Sequence, residues 1–160
     1  RAMRARATSM STEPTERTPP RPGGSPRAPR SAPAVSMSDA DFEAAVADGL
    51  DMIPEELAAR MDNVVVLVAD EPEPEQLGPQ DYDADGLPAL LGLYDGVPLT
   101  ERDDGWSMVL PDRIHIFKGP LERWCTTREE LVEEVAVTVI HEVAHHFGID
   151  DARLHELGWE

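Results

Sequence analysis

No Pro or Gly interrupts the chain between Thr126 and Phe147, and this run constrains the fold more than any other feature. Thr126-x-x-Glu129 and Thr127-x-x-Glu130 each fit a capping box, in which a hydroxyl and a carboxylate satisfy the first free N–H groups of a helix. Gly148 is a natural residue to follow a helix C-terminus. The run therefore predicts a helix of about 21 residues, roughly 30 Å long. From Val135 to Phe147 most side chains are apolar. Such a helix is apolar on most sides and is expected to be buried.

Its polar residues then need partners. His141-Glu142-Val143-Ala144-His145 reads H-E-x-x-H. Spacing of i, i+4 puts both imidazoles on one face, one turn apart, where they can hold one divalent ion. Glu142 lies about 100° around the helix. That is out of reach of the same ligand position but suits a general base acting on water. His146 points about 100° away from His145 and is expected to make a hydrogen bond or face solvent. Glu129, Glu130 and Glu133 form a solvated face, and Glu134 alone projects toward the His141/His145 side.

A catalytic zinc usually takes three protein ligands. The chain continues His145-x-x-Gly148-x-x-Asp151, and Gly148 permits a turn that brings Asp151 back toward the ion. Asp150 and Asp151 can each also cap a final short helix ending at Gly158. One division makes Asp150 the cap and Asp151 the ligand. His155 and Glu156 compete for the ligand role, their alternative being a polar face of that helix.

The pattern H-E-x-x-H-x-x-G-x-x-D, with the stretch from Thr138 to Gly158, resembles a small bacterial family of minimal zincin-like metallopeptidases. Leu91-Gly-Leu-Tyr-Asp-Gly-Val-Pro-Leu-Thr-Glu-Arg102 and Gly119-Pro-Leu-Glu-Arg123 look familial too. The resemblance covers most of 37–160 and none of 1–36. It implies a small α+β domain with a mixed sheet on the active-site helix. It also implies Zn²⁺ on His141, His145 and Asp151, Glu142 as base, and a strand beside the helix, best matched by Arg113–Phe117. Larger relatives carry a third His and a later Met-containing turn. Here the third position is Asp, and no Met follows it, so no such turn is expected.

Charge divides the chain in two. Residues 1–36 hold seven Arg and two Glu, a net of +5, which leaves −23 for residues 37–160. An acidic body repels phosphates and anionic surfaces, so neither nucleic acid nor membrane is an expected partner. Residues 1–36 hold seven Pro and almost no large apolar side chains, too little to offset ordering entropy. They are expected to be disordered, upstream sequence that the working enzyme does not need, with a basic self-ligand lying across the acidic body as the lesser alternative. They lack the apolar segment of a secretory signal, and their Pro content breaks the amphipathic helix of a transit peptide. Met37 is a candidate natural start. Cys125 is the sole cysteine, which excludes an intrachain disulfide and makes a reducing, cytoplasmic setting the default.

Across 37–160, Ser38, Asp39 or Asp41 can cap a helix to about Asp48, with Phe42, Val46 and Leu50 at helical spacing. Pro54 opens a second short helix with Leu57 and Met61 on one face. Asn63–Ala69 reads as a buried strand, and Leu90–Tyr94 as another. Trp106–Leu110 and Arg113–Phe117 read as strands around a Pro111-Asp112 turn, and Pro120 opens a short helix. Asp81, Asp83 and Asp85 match the start of an EF-hand loop. Gly92 stands where that loop needs Glu, so a solvated acidic turn is expected. Cys125, Trp106, Trp124 and Trp159 are expected to pack. The functional expectation is a monomeric zinc peptidase acting on a peptide or protein. The alternative is a metal-binding regulatory module without hydrolysis. Tyr94, Arg113 and His115 are candidate oxyanion stabilisers.

Overall fold

A computed structural model describes residues 15–18, 35–102 and 110–157. The body opens with α1 (Asp39–Asp51), capped by Ser38, whose side chain accepts from the Asp41 N–H. Phe42 and Val46 face the core. Pro54 precedes α2 (Glu55–Ala58), and β2 (Val64–Ala69) follows. The acidic loop beyond β2 satisfies its own carboxylates. Asp83 Oδ1 accepts from the Asp85 and Leu87 N–H groups, and Asp81 Oδ2 from that of Gly78.

Strands β3 (Gly92–Asp95) and β4 (Asp112–Phe117) come next, then α3 (Lys118–Trp124), α4 (Arg128–His146) and α5 (Asp151–Leu157). Helix α3 starts two residues before Pro120. Its first-turn N–H groups have no intrahelical acceptor, so proline loses nothing there. Thr127 caps α4 by accepting from the Glu130 N–H. The Glu130 carboxylate reaches back to Thr126. Among the described residues no helix is long and apolar enough to cross a membrane.

The sheet is mixed, in the order β1-β3-β4-β2, where β1 is Thr15–Thr18. β2 runs parallel to β4, and β3 is antiparallel to both β4 and β1. The fold is therefore α+β. On β4, Asp112, Ile114 and Ile116 point to the helical side. There they join Tyr94, Leu91, Phe42, Leu121, Leu131, Val135, Val139 and Cys125 in the main core. Phe117 lies on the other face with Leu90 and Leu93 in a smaller cluster. Met37 is pinned where the body begins, its N–H donating to the buried Glu122 carboxylate at 2.7 Å.

Two expectations are corrected, and one observation is added: within the stretch read as disordered, the backbone of Thr15–Thr18 pairs with β3. β2 is not a buried strand: it takes the sheet edge, and Val65, Leu67 and Val68 are each about 40% exposed. β-branched residues mark a strand without fixing how many of its sides are covered. Asp112 belongs to β4, not to a turn before it. Most of the strand expected at Trp106–Leu110 lies outside the described residues, as do Trp106 and Trp159.

Candidate active site on helix α4

Helix α4 packs against α1, β3 and β4. His141, Glu142 and His145 are all buried, Glu142 completely. The two imidazoles share one face, with ring centroids 4.7 Å apart and ring planes at 77°. Glu142 faces β3. A methyl carbon added at Gly92 would lie 2.8 Å from Glu142 Oε1 and 2.8 Å from the Thr138 methyl. Only glycine lets the first residue of β3 approach the carboxylate so closely.

The helix end sets the chemistry of His145. Gly148 has φ +78°. Its N–H donates to the His145 carbonyl at 2.9 Å, and the Ile149 N–H to the Ala144 carbonyl at 3.0 Å. These are the paired hydrogen bonds of a Schellman cap. The reversal carries the Ile149 carbonyl to 2.9 Å from His145 Nδ1. A carbonyl can only accept, so Nδ1 carries the hydrogen and Nε2 the lone pair. That is the tautomer a metal-ligating histidine uses, with its second ring nitrogen on a backbone carbonyl.

Asp151 is the first residue of α5, and its side chain lies outside the described residues. Asp150 is the cap, accepting from the Arg153 N–H at 2.9 Å. Glu156 is exposed and paired with Arg153, and His155 is exposed. Among the described residues no three His, Cys, Asp or Glu side chains form a metal-binding group. His141 and His145 bring two ring nitrogens to one buried face, the donor type that zinc takes from histidine.

Beneath this face lies a polar cluster that the sequence reading did not foresee. Asp112 Oδ2 accepts from the Tyr94 hydroxyl at 2.8 Å and from His146 Nδ1 at 2.8 Å. It also pairs with the Arg102 guanidinium, whose Nε donates to the Val97 carbonyl. Burial holds His146 below the usual histidine range, outweighing the opposing pull of Asp112. His146 is therefore a neutral donor to the carboxylate. Tyr94 is pushed far above the usual phenol range, first by burial and then by Asp112. The cluster joins β3, β4 and the last turn of α4. Its sequence signal was the polar Tyr94 and Arg102 inside the stretch Leu91–Arg102.

A family model for zincin-like metallopeptidases matches residues 61–159, more than half of the chain. The chain belongs to the zincin-like metallopeptidase family. No curated protein matches it. In this zincin-like metallopeptidase the matched span runs from before β2 through α5, leaving β1, α1 and α2 outside.

The zincin-like domain does not gather the three oxyanion candidates at His141 and His145. Arg113 is on the sheet face away from α4, paired with Asp95 at 2.6 Å. His115 shares that face, stacked on Phe117, and burial lowers its pKa. Tyr94 faces α4 but donates to Asp112. On another flank of α4 an apolar cavity of about 570 Å³ is lined by Ile140, Ala144, Phe147, Ile149 and Leu154.

A side chain at Gly148 would be strained at this φ and would meet the Thr100 hydroxyl. Gly148→Ala is expected to cost about 1–3 kcal/mol and, by shifting the Ile149 carbonyl, to weaken metal binding about 10–100-fold. Urea unfolding and a zinc titration of the same variant measure the two effects separately. Unchanged zinc affinity would detach the cap from the site.

Proposed function

We propose that this domain is a zinc-dependent peptidase, with His141, His145 and Asp151 holding the ion and Glu142 as general base. The observation that carries the reading is the buried H-E-x-x-H face, with His145 Nδ1 on the Ile149 carbonyl. Zinc bound there would lower the pKa of a water and polarise a scissile carbonyl. His145 would offer Nε2 to the ion, because its other ring nitrogen is held as a donor to the Ile149 carbonyl. Glu142 takes the proton of the attacking water and returns it to the leaving nitrogen. The apolar cavity beside Ala144 and Ile149 suits a large apolar side chain of the substrate.

The test is metal content by elemental analysis. Wild type should carry about one zinc per chain, and His145→Ala essentially none, as expected of a site with three protein ligands. Asp151→Ala should bind at least about tenfold more weakly. Full zinc in Asp151→Ala would remove Asp151 from the site, and no zinc in wild type would remove the reading.

The net of −23 over residues 37–160 favours basic or neutral peptides. At low salt these are expected to be cleaved several-fold faster than acidic ones, with the gap closing as salt rises. Fastest cleavage of acidic peptides would contradict this. We place the protein in a reducing, cytoplasmic setting, as a monomer acting on a peptide or protein, without nucleic-acid or membrane partners. The buried free thiol of Cys125 and the acidic body support that placement. The second reading, a metal-binding regulatory module without hydrolysis, draws support from the complete burial of Glu142 in the full chain.

A further inference from the structure

Without β1, β3 would be the edge of the sheet beside α4. An exposed edge offers a row of backbone N–H and C=O groups to any extended segment that can reach it. In this chain the segment is Thr15-Glu16-Arg17-Thr18, bounded by Pro14 and Pro19. Proline cannot extend a ladder on its N–H side, so the two prolines confine the strand to these four residues.

The register places this segment at the chemistry. Thr15 lies opposite Asp95 and Thr18 opposite Gly92, and Gly92 is the residue whose backbone abuts Glu142. Helix α4 touches β1 as well as β3. The segment therefore runs along the edge nearest Glu142. Its parent stretch carries +5 against −23 on the body, so the long-range field draws it in.

We propose that Thr15–Thr18 occupy, in cis, the sheet edge on which an extended peptide docks, so that the chain's own tail competes with substrate. The competition rests on the peptidase reading; the occupancy does not. A covalently linked occupant acts at an effective concentration up to the millimolar range. A free peptide must displace it to pair with β3. Substrate access is then controlled by whatever detaches or removes the tail.

The test uses the full chain with Glu16→Pro and Arg17→Pro together. Successive N–H groups of a strand point to opposite sides, so the pair removes whichever one faces β3. It also removes one charge of each sign and leaves the net charge unchanged. The β3 amides should exchange with deuterium about tenfold faster or more in the variant, and a synthetic peptide spanning residues 11–22 should restore their protection. That peptide, fluorescently labelled, should bind the variant at least about tenfold more tightly than it binds the wild-type tail arrangement. Both binding measurements are made in a Glu142→Gln background, so that the probe is not cut.

With Glu142 intact, cleavage of a neutral peptide should rise about tenfold or more in the variant. Unchanged amide exchange, or equal peptide binding, would overturn the occupancy. Faster exchange with equal and measurable cleavage would overturn the competition. Faster exchange and tighter binding, with no cleavage by either protein, would uphold the occupied edge and count against the peptidase reading instead.

Discussion

Replacing Glu142 by Gln is expected to lower peptide cleavage by about 10²–10⁴-fold, the usual contribution of a general acid–base group, with zinc content unchanged. The variant is informative because the two side chains have nearly the same shape. Glu142 is completely buried and close to Gly92 and Thr138, so a larger or shorter residue would disturb the contact between α4 and β3. Gln fills the space but cannot accept a proton. Elemental analysis and kcat on one preparation are then sufficient. Lost cleavage with retained zinc fits a base that is not a ligand. Cleavage equal to wild type would sink the hydrolase reading and leave the regulatory module. Loss of zinc together with activity would move Glu142 from base to ligand.

What the sequence made legible was local. Thr127 as cap, Gly148 at positive φ and Asp150 as cap of α5 are each decided within a few residues, and residue type alone carries such signals. The two histidines on one face follow from helical spacing in the same way. The tautomer of His145 was not legible, because it depends on the Ile149 carbonyl returning through the turn at Gly148. Asp112 was read as a turn residue because Pro111-Asp112 resembles one locally. Its role is set by Tyr94, Arg102 and His146, brought from three other elements. Thr15–Thr18 gave almost no local signal. Two threonines between prolines make a strand only when an edge such as β3 is there to pair with. β2 was recognised as a strand but misplaced in depth, since hydropathy does not say which neighbour will be missing.

Asp112 is where a single substitution should cost the most stability. Its Oδ2 receives the Tyr94 hydroxyl, the His146 N–H and the Arg102 guanidinium. Only 5% of its side-chain surface is exposed, against 21% for Arg102. Asp112→Ala removes the carboxylate shared by the Arg102 guanidinium, the Tyr94 hydroxyl and the His146 ring. Loss of one member of a buried pair typically costs about 3–5 kcal/mol. The partial exposure of Arg102 places the expectation near the lower end, at about 3 kcal/mol, which urea unfolding of the two proteins will measure. A loss below about 1 kcal/mol would show that the cluster is not held together by this carboxylate. In Asp112→Ala, Arg102→Met the penalty should be smaller than the sum of the two single changes, because residues in direct contact share one interaction that each single change already removes. His146 follows His145 in the last turn of α4, so releasing it also loosens the end of the helix that orients the proposed metal ligand. Zinc affinity should therefore fall about 10–100-fold in Asp112→Ala. Destabilisation with unchanged zinc affinity would confine the cluster to holding α4 on the sheet. Loss of both would make Asp112 the residue that couples the fold of β3 and β4 to the geometry of His145.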